Sequence, residues 1–247
     1  DGKQVSAGWV TTFNEYAIVS ENRVTSFDPE VGFDVAALLG CAVTTGLGIV
    51  FNDADLKPGQ SVAVFGAGGL GLNAIQGAAL VNAYPIVAVD IEDHKLQAAI
   101  AFGATHTVNS TNQDPEAFLM DLTGGSGVTV SVDTTGISKV FEMSYGVTSN
   151  TGTAVLAGVL HHEHPITIDP YKLHFGRRIV ASHGGNTKPD EDIPRYVQLY
   201  KLGKLKLAEQ ITHNYPLNEI NEAMDAVRIG KALRCMVSLG DNFTIIP

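Results

Sequence analysis

Ser61-Val62-Ala63-Val64-Phe65-Gly66-Ala67-Gly68-Gly69-Leu70-Gly71, followed by Val87-Ala88-Val89-Asp90, decides the fold. An apolar, β-branched stretch runs into Gly66-x-Gly68-x-x-Gly71. A helical pattern follows, then a second apolar stretch that ends in an acid. Strand, glycine turn, helix, strand and acid in this order form the fingerprint of a dinucleotide-binding βαβ unit. Each glycine has its own task. Gly66 permits the tight turn out of the strand, Gly68 leaves room for a pyrophosphate, and Gly71 lets the helix pack on the sheet. The helix N-terminus adds free N–H groups and partial positive charge for the phosphates. Asp90 stands at about the 20-residue distance expected of the acid that accepts bonds from the adenosine ribose. A carboxylate there repels a 2′-phosphate, and Ile91-Glu92 brings no arginine to bind one, so the pattern favours NAD over NADP. The competing reading is an ordinary strand-to-helix turn in an unrelated α/β protein.

Composition sets the frame around this unit. The 247 residues suffice for one large or two smaller domains; 45% are hydrophobic and 17% charged, with a mean hydropathy of +0.11, as in a globular chain. A formal net charge of −10 and a pI near 5.1 argue against nucleic acid as a partner. No apolar run is long enough to span a membrane, and the N-terminus does not read as a signal peptide. The two cysteines, Cys41 and Cys235, form no disulfide framework, which agrees with a cytoplasmic location.

Outward from the fingerprint, apolar runs at residues 62–65, 86–89, 107–108, 128–132, 154–157 and 179–181 read as strands. Helical patterns at 70–81, 93–102, 115–122 and 138–144 alternate with them. Near-continuous apolar strands alternating with helices predict an α/β fold, a doubly wound parallel sheet of Rossmann type. Before it, 13–19 and 24–27 read as strands, Asp34 as a helix cap, 42–53 as a helix and Lys57-Pro58-Gly59-Gln60 as a turn. After it, 193–202 and 217–229 read as amphipathic helices ending at Gly203 and Gly230, and 234–239 as a closing strand.

The run Gly40-Cys41-Ala42-Val43-Thr44-Thr45-Gly46-Leu47-Gly48 ahead of the fingerprint resembles a zinc-dependent alcohol dehydrogenase of the medium-chain dehydrogenase/reductase family. The likeness continues through Asp90-Ile91, Lys95, residues 101–105, Asp133-Thr134-Thr135-Gly136, Gly158-Val159, Gly184-Gly185 and Arg234. It implies an NAD-binding Rossmann domain over 42–182 and a partial GroES-like catalytic domain built from the chain ends, 1–41 and 183–247. It implies hydride transfer between an alcohol or polyol and NAD, with Cys41 as a zinc ligand and Thr45 at the nicotinamide. The implied cofactor contacts are Gly66, Gly68, Gly69, Leu70, Gly71, Asp90, Ile91, Lys95, Thr135, Gly158, Val159 and Arg234. Relatives associate through sheet edges, so a homodimer or homotetramer is implied, and Pro165–Asp169 offers an edge strand.

The family's other catalytic zinc ligands, a cysteine and a histidine, and its four-cysteine lobe lie upstream of the Gly-Cys motif. The segment before Cys41 is too short to hold them. One thiolate does not make a catalytic zinc site, so the sequence reads as a piece of such an enzyme. Its alternatives are an NAD-binding module without activity of its own and a zinc-free reductase, which the Gly-Cys run disfavours. Cys41 taken alone reads first as an inert buried thiol, and the resemblance makes it a ligand. His161-His162-Glu163-His164 invites a metal reading, but neighbours on an extended segment face opposite ways. His183 reads as a cofactor contact or a loop histidine, and Cys235 as core.

Overall fold

The computed structural model describes residues 12–14 and 16–240. Along them run α1 (Phe33–Leu38), α2 (Ala42–Gly48), β1 (Val62–Phe65), α3 (Gly69–Leu80), β2 (Ile86–Asp90), α4 (Asp93–Ala101), β3 (His106–Asn109), α5 (Pro115–Leu122) and β4 (Val128–Asp133). There follow α6 (Ser138–Gly146), β5 (Thr148–Leu156), α7 (Pro170–His174), β6 (Arg178–Ala181), α8 (Pro189–Lys201), β7 (Ile211–Pro216), α9 (Ile220–Arg228) and β8 (Arg234–Ser238). The chain divides into two compact units. One spans Leu39–Lys188; the other comprises the described parts of Asp1–Leu38 and Pro189–Pro247.

The larger unit holds the expected sheet. Its six strands are all parallel, in the order β3-β2-β1-β4-β5-β6. This is the doubly wound Rossmann order, with its switch point between β1 and β4. All four residues of β1 are buried. Ala63, Phe65, Val87, Val89 and Val108 form one core cluster with Leu119 of α5, and Phe118, Leu122, Val140 and Met143 pack against it. Eight consecutive residues of α3, Gly71 to Ala78, are buried, so this helix is covered on every side. Part of its cover is α2: a Cβ on Gly46 would lie 2.5 Å from the Asn73 Cβ and 2.8 Å from the Leu70 carbonyl oxygen.

Several elements depart from the sequence reading. The helix expected over 42–53 is α-helical only to Gly48 and continues as a π-turn over Ile49–Asp53. There Asn52 Nδ2 donates to the Gly185 carbonyl at 2.9 Å and Asn186 Nδ2 donates to Asp53 at 2.5 Å. These bonds hold Gly185 and Asn186 on the π-turn, within the compact unit Leu39–Lys188. β5 begins at Thr148 and not at 154; its polar first half, Thr148-Ser149-Asn150-Thr151, carries no apolar signal in the sequence. Pro165–Asp169 forms no strand. Ile166 and Ile168 instead pack against Phe141, Tyr145 and Ala154, and the Thr167 N–H donates to Glu142 at 2.8 Å.

In the other unit, β7 and β8 pair in parallel and are joined through α9. β7 went unread because Ile211-Thr212-His213-Asn214-Tyr215-Pro216 is mostly polar; only alternate side chains are even half-buried. Residues 16–19 and 24–27 form no strand. Tyr16 and Ile18 are 90% and 84% exposed, and a strand needs a ladder partner that no described segment supplies here. Glu15, within the first expected strand, lies outside the described residues. Asp34 sits inside α1, where its carboxylate accepts from the Val35 N–H at 2.8 Å, and does not cap it.

The tightest backbone contact in the sheet unit is at Gly71, where a Cβ would fall 1.8 Å from the Gly66 carbonyl oxygen. Gly71→Ala is therefore expected to lower stability by about 1–3 kcal/mol, read as a fall in the urea midpoint without a change of slope.

Candidate dinucleotide-binding crevice

β1 and β4 leave the sheet side by side, with Phe65 opposite Asp133. In a doubly wound sheet this switch point is where the ligand crevice lies, outside the C-terminal ends of the strands. Gly66 makes the turn at φ 92°, a left-handed conformation that disfavours any side chain. A Cβ on Gly68 would meet nothing within 4 Å, so this face of the turn is open. Gly68 is also the N-cap of α3, and the first N–H groups of a helix find no partner within it. Gly69, Leu70 and Gly71 form that first turn.

Asp90 closes the crevice on the β2 side. Its Oδ2 accepts from the Ala67 N–H at 2.7 Å, and its Oδ1 from the Ile91 and Glu92 N–H groups at 2.8 and 3.0 Å. The carboxylate is thus held against the glycine turn itself. Ile91 beside it is 60% exposed, and Lys95 stands half-buried on the first turn of α4.

On the other side, Thr134 ties β4 to the glycine turn. Its N–H donates to the Phe65 carbonyl at 2.9 Å, and its hydroxyl is shared between the Phe65 and Gly66 carbonyls, each at 3.0 Å. The Asp133 carboxylate accepts from the Thr135 N–H and hydroxyl at 3.0 and 2.6 Å and from the Gly136 N–H at 3.3 Å. Burial pushes this carboxyl above the usual range, opposed by the bonds from Thr135 and Gly136. The Asp133 carbonyl accepts from the Ala157 and Gly158 N–H groups at 3.0 and 2.8 Å. Gly136 and Gly158 abut so closely that a Cβ on Gly158 would sit 2.1 Å from the Gly136 nitrogen. Val159, next in line, is 93% exposed.

Behind the turn, Gly46 of α2 lies against Leu70, and Gly185 lies against α2: a Cβ on Gly185 would sit 2.6 Å from the Thr45 carbonyl. Thr45 is half-buried, one turn beyond Cys41, which is exposed at the head of α2. The fold thus gathers Gly66, Gly68, Gly69, Leu70, Gly71, Asp90, Thr135 and Gly158 around the C-terminal ends of the central strands, while Thr45 lies on α2, which packs behind the turn through Gly46. Arg234 opens β8 in the other unit.

Comparison with known proteins places this geometry. A family model described as zinc-binding dehydrogenase matches residues 69–201. The chain belongs to this family. It is 36% identical over 234 residues to alcohol dehydrogenase 2 of Zea mays, an alignment covering 94% of this chain and 62% of the relative. It is 34% identical over 231 residues to alcohol dehydrogenase class-2 isozyme 2 of Oryctolagus cuniculus, covering 92% and 60%. The crystal structure of benzyl alcohol dehydrogenase from Acinetobacter calcoaceticus superposes with a TM-score of 0.87 at 29% identity, covering 91% of this chain and 62% of that one. The chain therefore spans about three-fifths of the length of the relatives it matches.

The zinc of the family's name does not fit the described residues by themselves. Among them no three His, Cys, Asp or Glu side chains are grouped to hold a metal ion. The run at 161–164 is a turn rather than an extended segment, with the His164 N–H bonded to the His161 carbonyl at 2.9 Å. Its three rings cluster, with centroids 4.6 and 5.1 Å from that of His161, without forming such a group. Cys235 is half-buried in β8, and burial pushes its thiol up.

Asp133 and Thr134 belong to the likeness seen in the sequence, which gave neither of them a role at the site. Their signal was an acid at the end of an apolar strand followed by two hydroxyls and a glycine. Thr134→Val keeps the shape but removes the shared hydroxyl bond; the expected loss is about 1 kcal/mol, measured from the urea midpoint.

Proposed function

We propose that this chain is the coenzyme-binding part of an NAD-dependent alcohol dehydrogenase, moving hydride between a small alcohol or polyol and NAD. The observation that carries this reading is the open face of Gly68 beside the Asp90 carboxylate held on the Ala67 N–H. The backbone N–H groups at the head of α3 suit a pyrophosphate. Asp90 suits the adenosine ribose hydroxyls, with Ile91 and Lys95 flanking them. Thr135, Gly158, Val159 and Thr45 suit the nicotinamide end. Arg234 suits a phosphate group by its chemistry, since a guanidinium matches phosphate geometry. NAD, when bound, accepts or returns the hydride; the residues of this chain bind it, orient it and select against a 2′-phosphate.

Cys41 suits a zinc thiolate ligand, and the set is completed only by donors beyond the described residues. That observation favours a second reading, an NAD-binding module without catalysis of its own. The two readings separate in an assay of NAD reduction, with a panel of alcohols and polyols, by a longer chain that also supplies the remaining zinc donors. Turnover supports the enzyme, and binding without turnover supports the module. Assembly as a homodimer or homotetramer is part of the proposal, supported by the outer strands β3 and β6, each paired on one side in the sheet. A cytoplasmic setting is supported by the free thiols of Cys41 and Cys235. Among the described residues no helix is long and apolar enough to cross a membrane.

Fluorescence titration is expected to show NADH bound more tightly than NADPH. Asp90→Asn is expected to weaken NADH by about tenfold, as for loss of a bond to a charged group, and to narrow the preference. Equal and unchanged affinities for both dinucleotides would remove Asp90 from the ribose site.

A further inference from the structure

Asp133 is an anomaly for a strand end. Its side chain is fully buried, where an apolar residue avoids the desolvation of a carboxylate. Its acceptor capacity is directed at one place: the bonds go to the Thr135 N–H, the Thr135 hydroxyl and the Gly136 N–H, on the loop leaving β4. That loop is stacked on the next one. The Asp133 carbonyl holds Ala157 and Gly158, and Gly136 lies against Gly158 and Val159. Thr134 carries the same loop onto Phe65 and Gly66. Residues 133–136 thus join the exits of β1, β4 and β5. Within residues 133–136 and 156–158 Asp133 is the one ionisable side chain, and Asp90 meets the neighbouring glycine turn at the Ala67 N–H.

We infer that Asp133 is a positioning residue for the dinucleotide. Its ionised carboxylate locks the 134–136 loop against Gly158, and uptake of a proton by Asp133 loosens that loop and weakens NADH binding. The inference rests on the NAD reading of the crevice. The chemistry follows from donor counting. A carboxylate accepts from all three donors at once. Once protonated, one oxygen becomes an O–H donor and a weaker acceptor, so the bond it takes from the loop is weakened. An asparagine at this position has the same defect at every pH, because its amide group takes the place of one oxygen. Burial raises the carboxyl, so proton uptake begins at a higher pH than for an ordinary aspartate. Folding and binding then pull in opposite directions. The protonated form is the one burial favours in the folded chain, so this group's contribution to stability falls as pH rises through its folded value. NADH affinity rises over the same interval.

The test is an NADH fluorescence titration across acid to neutral pH with the wild-type chain, Asp133→Asn and Thr135→Val. Urea midpoints verify that each is folded. Wild type is expected to lose affinity on the acid side. Asp133→Asn is expected to bind about tenfold more weakly at neutral pH and to lack that acid limb. Thr135→Val removes a bond that favours the ionised form, so its limb is expected at higher pH than in wild type. Calorimetry in buffers of different ionisation enthalpy provides a measure that needs no variant: wild type is expected to release protons on binding NADH within the limb. NADH binding by wild type with the same pH profile in Asp133→Asn, or with no proton release, would overturn the inference and leave the NAD reading standing. Failure of wild type to bind NADH at any pH would overturn both.

Discussion

The carbonyl oxygen of Gly66 occupies the place where residue 71 would carry its Cβ. Everything at the head of α3 depends on that contact. It lets the helix start within five residues of the strand, so its first N–H groups face the crevice rather than the solvent beyond the sheet. The same carbonyl takes a share of the Thr134 hydroxyl, and the adjacent Ala67 N–H is taken by Asp90. One turn is therefore held from β1, β2 and β4 together. The open face of Gly68 is what remains when every other side of the turn is in contact.

The second level of support is polar and lies out of reach of the crevice. Asp133 spends a buried carboxylate on its own loop, and the π-turn after α2 brings Asn52 and Asp53 onto residues 185–186. Gly184, Gly185 and Asn186 all have positive φ, a conformation that these two side chains help to hold. Such bonds position backbone at the site without touching a ligand. They explain why the crevice is built from loops yet bounded by contacts as close as those of a core.

Legibility followed the kind of signal each element carries. β1 and β2 were plain because both faces of a central parallel strand are buried and their residues are continuously apolar. The first half of β5 and all of β7 were not, since Thr148–Thr151 and Ile211–Pro216 are strands by virtue of their partners rather than their composition. The reverse error, at 16–19, came from apolar residues that have no ladder partner among the described residues. At the site, the glycines and Asp90 could be named from spacing because each position demands a residue type: no Cβ, or a carboxylate. Thr134 and Asn186 could not, because threonine and asparagine serve many ends and only a partner across the fold gives them one.

By itself, then, the sequence determined the strand order of chemistry along the chain: an apolar strand, a turn that only glycine fits, and an acid at the end of the next strand. These are local demands of backbone sterics and charge, written within about thirty residues of one another. Tertiary structure alone decided that Asp90 rests on the turn it was expected to accompany, that Asp133 and Thr134 join three strand exits, and that residues 183–188 fold onto α2. Those outcomes depend on hydrogen bonds between residues as far apart as Asp53 and Asn186. No local pattern encodes such a pair, because its free energy exists only once the sheet has brought the two ends together.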